Sequence, residues 1–273
     1  MPTRWHAFGL MAGLLAAGCT NNAPPSPPAP ADPPPVEIPA EPIDRYDQPF
    51  SKAATDQIGE DQRLPPDRTV AGKSTAVLRE AVEREWPTIK LTDAAGKPLP
   101  WVVTLDTDAG AIEIALRPDL APNHCRNLLA LVKVGYYDGL RFDRIVHQEA
   151  EDPEGGRSEI RMVRLGCPAG TGDPGVGHIG YHLRSEFSDQ KHGIGTVGFT
   201  RDADPSTAGV RLYITLAPAP VLDGNFTVIG KVSKGLDVVE KIAAEKLLPP
   251  DVDPSRELPE RPVVIRKATA GYK

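Results

Sequence analysis

The chain has 273 residues, enough for one large domain or two small ones, and its 40% hydrophobic and 25% charged residues are ordinary for a soluble globular protein. The formal net charge is -6. A mildly acidic chain gains no counterion release on DNA or RNA, so we expect no nucleic-acid partner. The 30 prolines are about twice the usual share and are unevenly spread, which helps to divide the chain into segments.

Residues 1–18 have the pattern of a secretory signal peptide. Arg4 precedes an apolar run over 8–18, which is shorter than the about 20 residues that a membrane-spanning helix needs. The run ends in Leu-Ala-Ala-Gly-Cys, which resembles the bacterial lipobox and implies a lipid on Cys19. The alternative is an ordinary signal peptide that happens to contain a cysteine. We expect a lipid-anchored protein of the bacterial cell envelope, and Thr20 after the cysteine favours the periplasmic side of the outer membrane.

Residues 19–43 are predicted to be a proline-rich linker attached to the lipid. The segment consists almost entirely of proline, alanine and small polar residues. It has too little apolar surface to offset the entropy of ordering, and its prolines stiffen it towards polyproline II at about 3 Å per residue. We expect a stalk that holds the folded part away from the membrane surface.

Residues 44–97 are predicted to be an N-terminal extension with one short helix. Leu78, Val82 and Trp86 follow one another at intervals of four, which places them on one helical face, and Pro87 ends the pattern. The helix either packs on the main domain or belongs to an independent extension, and both alternatives remain open.

Residues 98–270 form the main predicted domain, in which short β-type runs alternate with turn residues. Apolar helical faces recur twice, over 122–134 and 236–244. Many short strands with two helices predict a mainly β fold, a closed antiparallel barrel with helical caps. The predicted strands are 102–105, 112–116, 142–146, 160–165, 196–199, 211–216, 226–232 and 263–268.

Several ordered stretches of this region form a pattern. They are Gly-Ala-Ile-Glu-Ile-Ala-Leu at 110–116, Gly-Tyr-Tyr-Asp-Gly at 135–139, Phe-Asp-Arg-Ile at 142–145, Gly-Cys-Pro-Ala-Gly-Thr-Gly at 166–172, Tyr-Ile-Thr at 213–215 and Leu-Asp-Gly-Asn-Phe-Thr-Val-Ile-Gly-Lys-Val at 222–232. In this order they resemble the cyclophilin family of peptidyl-prolyl cis-trans isomerases. The resemblance implies a closed eight-stranded antiparallel barrel capped by two α-helices, with a peptide groove on its outer face. It requires no cofactor and no metal.

The resemblance also implies a catalytic residue. Family members carry a Phe-x-Arg stretch whose arginine hydrogen-bonds the prolyl nitrogen while the peptide bond is twisted, and Arg144 occupies the matching position. Such a bond forms only in the transition state, which is how it accelerates the reaction.

The family pattern further assigns the substrate-binding positions. They are Met162, Arg164, Thr200, Arg211, Tyr213, Leu222 and Phe226. Arg161 matches a pocket phenylalanine and Arg164 a carbonyl-binding glutamine, so the groove is unusually basic. It either binds acidic peptides, or Arg164 and Arg211 pair with an acidic insertion at 147–160, or the site has drifted. We expect that insertion to be a solvated loop.

The leading hypothesis is an envelope peptidyl-prolyl isomerase that assists the folding of exported proteins. Its partners would be proline-containing segments of those proteins and the membrane, and we expect a monomer. The alternative is a non-catalytic peptide- or protein-binding module with a degenerate, basic groove.

Cys125 and Cys167 are expected to be separate thiols, although an oxidising compartment permits a disulfide. His182 and His192 are expected to be structural residues, since neither has the spacing of a metal ligand.

Overall fold

The computed structural model describes residues 50–57, 62–151 and 155–272, so the signal peptide, Cys19 and the proline-rich linker lie outside the described residues. Its α-helices are α1 (Phe50–Ala53), α2 (Thr75–Glu85), α3 (Pro122–Lys133) and α4 (Leu236–Ala243). Its strands are β1 (Ala54–Thr55), β2 (Trp101–Thr107), β3 (Gly110–Leu116), β4 (Phe142–Glu151), β5 (Arg157–Leu165), β6 (His182–Leu183), β7 (Thr196–Phe199), β8 (Leu212–Thr215), β9 (Val228–Lys234) and β10 (Ile265–Tyr272). No helix in these ranges is long and apolar enough to cross a membrane.

Eight strands form one antiparallel sheet in the order β10-β2-β3-β9-β7-β8-β5-β4, which confirms the prediction of a mainly β fold with eight antiparallel strands. The prediction of a closed barrel is wrong. The sheet has two ends, β10 and β4, and no ladder joins these two strands in the described chain. The segments are linked by an isolated bridge between Arg141 and Val264 and by a backbone hydrogen bond from Gly139 to Ile265. The segment before β10 contains Pro254, Pro259 and Pro262, and proline has no N–H to donate to a ladder.

The main core lies on the inner face of this sheet. Alternate residues of a strand point to opposite faces, and Val103, Leu105, Ile112 and Ile114 are fully buried on the inner side of β2 and β3. Helix α3 packs against β10, and α4 packs against β3 and β5. Both predicted helices are therefore present with nearly the predicted bounds.

Helix α2 packs against α3 and shares the main core. Ser74 caps its N-terminus, with its side-chain oxygen accepting a hydrogen bond from the Val77 N–H. The predicted apolar face is buried, and Trp86 is completely inaccessible to solvent. The guanidinium of Arg126, on α3, lies 6.0 Å from the centre of the Trp86 ring. Of the two alternatives for this helix, the structure has the one that packs on the main domain.

The insertion at 147–160 lengthens a β-hairpin, so the expectation that it is a loop is wrong. Strand β4 continues to Glu151 and β5 begins at Arg157, with residues paired from Gln148 opposite Ile160 to Glu151 opposite Arg157. The described side chains of the insertion are mostly exposed, so this part is solvated as expected. Ladder pairing satisfies backbone hydrogen-bonding groups without any apolar pattern, which is why the sequence did not reveal the strands.

Candidate active site

Four adjacent strands form one row of opposed residues on the outer face of the sheet, and three of the predicted site residues lie in it. Arg144 on β4 lies opposite Arg164 on β5. Arg164 in turn lies opposite Tyr213 on β8, and Tyr213 lies opposite Gly198 on β7. Side chains of directly opposed residues project to the same face of a sheet. The sheet register therefore places the predicted catalytic arginine and the predicted pocket tyrosine on one surface.

The next row of opposed residues points to the other face of the sheet, and its side chains belong to the main core. It consists of Ile145, Val163, Ile214 and Val197. The row that contains Arg144 is therefore on the outer face. Arg211 lies two residues before Tyr213, and Thr200 lies two residues after Gly198, so both return to the outer face. Their backbones are joined by a hydrogen bond of 3.0 Å from the Thr200 N–H to the Arg211 carbonyl. We call this outer surface the groove face, defined by Arg144, Arg164, Thr200, Arg211 and Tyr213.

A second hydrophobic cluster, separate from the main core, lies on the groove face. We call it the outer cluster; its buried members are Val146, Met162, Tyr213, Ala219 and Leu222, and Phe226 packs against them. The rings of Tyr213 and Phe226 meet edge to face with their centres 5.9 Å apart. The structure therefore brings together all four apolar or aromatic residues that were predicted to bind substrate.

The Tyr213 hydroxyl is held by a chain of hydrogen bonds. It lies 2.7 Å from Nε2 of His192, whose Nδ1 lies 2.8 Å from a carboxylate oxygen of Asp223. Burial lowers the pKa of His192, although Asp223 opposes this shift. The neutral ring donates from Nδ1 to Asp223, and its Nε2 accepts a hydrogen bond from the Tyr213 hydroxyl. Gly198 leaves the space that the hydroxyl fills, because a Cβ at that position would collide with it.

Sequence reasoning assigned His192 only a structural role and did not foresee this chain of contacts. The available signal was the hydroxyl of Tyr213, since a buried tyrosine oxygen requires a partner. Asp223 and His192 orient the ring that forms one wall of the outer cluster.

The Arg144 guanidinium is held in place from one side. Its Nη1 donates to a carboxylate oxygen of Glu257 at 2.8 Å and to the Ser255 hydroxyl at 3.2 Å, and its Nε donates to the Gly172 carbonyl at 3.1 Å. The Gln148 amide donates to the other oxygen of Glu257 at 2.6 Å. Within the described residues Nη2 makes no hydrogen bond. The arrangement fixes the cation and leaves one nitrogen for a ligand.

The other basic residues have partners that the sequence did not indicate. Arg211 is buried and donates to Asp202 at 2.7 Å, so the interpretation that it pairs with the acidic insertion is wrong. Arg161 pairs with Glu240 of α4 at 2.5 Å and does not enter the outer cluster.

Arg164 differs from its neighbours because its Nε is buried and has no hydrogen-bond partner among the described residues. Burial lowers its pKa, Glu257 raises it, and the nearby cations of Arg211 and Arg144 lower it again. The hydroxyl of Thr200, a residue only 5% exposed, is likewise buried without a partner in the described chain. Two of the predicted substrate-binding residues thus have unsatisfied polar atoms.

A buried carboxyl group, that of Asp143, lies next in sequence to Arg144. Asp143 accepts a hydrogen bond of 3.0 Å from the Cys167 N–H. Burial raises the pKa of Asp143 to about 6, against the effects of that hydrogen bond and of the nearby arginines. Cys167 and Cys125 are both free and buried, which confirms the expectation of two separate thiols.

Comparison with known proteins agrees with this geometry. Residues 102–270 match the family model described as cyclophilin type peptidyl-prolyl cis-trans isomerase/CLD. A peptidyl-prolyl cis-trans isomerase-like 1 of Rhizopus delemar is 38% identical over 146 residues, which cover 53% of this chain and 81% of the relative. A probable peptidyl-prolyl cis-trans isomerase of Brucella suis is 35% identical over 141 residues, covering 51% and 70% of the two chains.

A solved structure shares the fold. A cyclophilin-type peptidyl-prolyl cis-trans isomerase of Cryptosporidium parvum, crystallised in the presence of the dipeptide Ala-Pro, aligns with a TM-score of 0.51 and 22% sequence identity. The alignment covers 63% of this chain and 99% of the Cryptosporidium chain.

Proposed function

Because this chain belongs to the cyclophilin-type peptidyl-prolyl cis-trans isomerase family, we propose that it isomerises prolyl bonds on the groove face and that Arg144 is its catalytic residue. Family membership confirms the prediction of a peptidyl-prolyl isomerase. The observation that carries the assignment to Arg144 is its fixed guanidinium with an unengaged Nη2.

The chemistry that Arg144 would supply follows from the electronic structure of the peptide bond. Resonance holds the bond planar with a rotation barrier of about 18–20 kcal/mol. Twisting the bond ends the conjugation and returns the lone pair to the prolyl nitrogen. A guanidinium that donates to that lone pair stabilises the twisted state more than either planar state, so it lowers the barrier. Glu257 keeps the guanidinium oriented before substrate arrives.

The outer cluster is suited to hold the proline ring. Arg144 and Tyr213 are separated by the strand of Arg164, so their backbones lie about 10 Å apart, a distance that a long arginine side chain can partly span. A proline ring packed on Tyr213 would lie on the same face of the sheet as Arg144, so the guanidinium could approach the prolyl nitrogen. The crystallisation of the Cryptosporidium relative with Ala-Pro supports a proline-containing peptide as substrate.

The test is the rate of isomerisation of a proline-containing peptide, followed by NMR exchange, with the wild-type chain and Arg144→Ala. A charge-assisted hydrogen bond of about 3 kcal/mol corresponds to a loss of roughly a hundredfold in the variant. Arg157→Ala is the matched control, since that arginine is exposed near the tip of the β4–β5 hairpin. A wild-type chain no faster than the uncatalysed reaction would refute the proposal and favour the binding-module alternative.

We further propose that the substrates are exported proteins and that a lipid on Cys19 anchors the isomerase in the bacterial cell envelope. The support is the lipobox-like sequence and the proline-rich linker that follows it. Cys19→Ala should move the protein from the membrane fraction to the soluble fraction of the producing cells. Unchanged membrane association of this variant would refute lipidation.

A further inference from the structure

Three arginines lie on the groove face, but among the described residues only two of them are bonded to a carboxylate. Arg144 is bonded to Glu257 and Arg211 to Asp202, whereas the buried Nε of Arg164 has no hydrogen-bond partner in the described part of the chain. The guanidinium groups of Arg144 and Arg211 are close enough to disfavour the charged form of Arg164. Glu257 and Asp143 favour its charged form from a distance, but among the described residues no carboxylate is hydrogen-bonded to Arg164.

An anionic ligand would be stabilised at this position for two reasons. Arg164 is partly buried, and a partly buried cation without a bonded partner loses solvation that the protein does not replace. The Thr200 hydroxyl, which also has no partner in the described residues, lies beside Arg211 on the same face and can donate to an oxygen. Two unsatisfied groups on either side of Arg211 thus point to a ligand that brings oxygen acceptors.

We propose that the groove selects proline peptides with an acidic side chain close to the proline, whose carboxylate binds Arg164. This inference rests on the proposed function, because the carboxylate is placed in the groove that contains Arg144. The family pattern has a glutamine at the position of Arg164, and a glutamine would receive a neutral peptide carbonyl. The arginine adds a full charge at the same place, which favours a carboxylate over its amide.

The experiment uses pairs of peptides that are identical except for one residue, which is Glu in one peptide and Gln in the other. The varied position is one of the two residues before the proline or one of the two residues after it. Isomerisation and binding are both measured by NMR with the intact chain. A charged hydrogen bond predicts that kcat/KM for the best Glu peptide exceeds that of its Gln partner by about tenfold at low salt. The ratio should fall only in part in about 0.5 M sodium chloride, because salt screens the long-range attraction but screens a partly buried contact pair much less.

Two variants test whether a preference for the Glu peptide comes from Arg164 or from the overall positive charge of the surface. Arg164→Gln should bring the Glu-to-Gln ratio to about one, since it restores the neutral group of the family pattern. Arg161→Gln removes an arginine that is on the same strand as Arg164 but is paired with Glu240 of α4, so it should keep the wild-type ratio.

The outcomes separate this inference from the proposed function. Turnover of both peptides at equal rates would overturn the acidic preference and leave the isomerase assignment intact. Tighter binding of the Glu peptide without turnover of either would support the acidic preference and refute the isomerase. An unchanged Glu preference in Arg164→Gln would also overturn the inference, because the preference would then arise elsewhere.

Discussion

Asp143 is a buried carboxyl group next in sequence to Arg144, and its environment couples stability to pH. Burial raises its pKa to about 6, although the Cys167 N–H and three arginines oppose the shift. The folded chain therefore binds a proton at pH values where the unfolded chain, with an ordinary aspartate, has released it. The stabilisation that comes from this proton is lost as the pH rises through about 6.

Asp143→Asn should raise the free energy of unfolding at pH 8, because asparagine still accepts the Cys167 N–H but removes the buried charge. The shift corresponds to a gain of up to about 3 kcal/mol that shrinks as the pH falls towards 4. Urea denaturation at pH 5 and pH 8 measures this difference. A variant less stable than wild type at pH 8 would contradict the assignment.

Asp253 provides a control, because its pKa is shifted in the opposite direction to that of Asp143. Burial raises its pKa, but hydrogen bonds from Ser255 and from the backbone of Leu258 and Glu257 outweigh this effect and lower the pKa to about 2. Its stabilising contribution is present above the ordinary pKa of aspartate and is lost as the pH falls towards 2. Asp253→Asn should therefore destabilise the chain at pH 8, where Asp143→Asn stabilises it.

Among the secondary-structure elements, the β4–β5 hairpin has two parts with different roles. Its base carries Arg144 and Arg164, and Gln148 contributes the hydrogen bond that holds Glu257. Beyond Gln148 the strands make few buried contacts, and Glu149 even faces Glu159 across the ladder. The outer part therefore adds little to the stability of the fold.

Replacement of residues 150–158 by Asn-Gly, a dipeptide that favours tight hairpin turns, should leave the fold intact. We expect the free energy of unfolding to stay within about 0.5 kcal/mol of wild type, as for surface changes away from the core. Thermal unfolding followed by circular dichroism measures this, with the peptide isomerisation rate as a second readout. A large drop in the rate with unchanged stability would show that the hairpin tip contacts substrate.

For the whole molecule, the segment 62–97 is part of the folded domain and reaches the groove face. Its buried apolar side chains belong to the main core; they are Leu78, Val82, Trp86, Ile89 and Leu91. The Gln62 amide donates at 2.5 Å to Asp202, the carboxylate that also accepts from Arg211. The predicted boundary at residue 98 thus separates residues that pack together.

A fragment of residues 98–273 should fail to unfold cooperatively. Five buried side chains at about 2 kcal/mol each amount to roughly 10 kcal/mol, which is comparable to the whole stability of a typical domain. Near-ultraviolet circular dichroism and urea titration compare this fragment with residues 62–273. A fragment with the same denaturation midpoint as the longer chain would contradict the shared core.

The sequence predicted well which strands and motifs form the candidate site. It predicted less well which backbone and side-chain groups pair with one another. The Phe-Asp-Arg stretch and the strands around Tyr213 lie where the ordered motifs placed them, and the outer cluster unites Met162, Tyr213, Leu222 and Phe226 as expected. The closed barrel and the loop at 147–160 were wrong. Both errors concern which backbone groups pair, and ladder pairing in exposed strands leaves no hydrophobic pattern to read.

The amino-acid sequence by itself determined the helices, most strands and the outward positions of the groove residues, because periods of 3.6 and 2 depend only on neighbouring residues. The tertiary structure alone decided which charges meet. Glu257 lies 113 positions from Arg144 and comes from a proline-rich segment without a motif of its own. Arg164 remains without a bonded carboxylate in the described chain because the acidic residues near it are bonded to other groups. Ion pairing is set by distances in the folded chain, and local sequence carries no record of them.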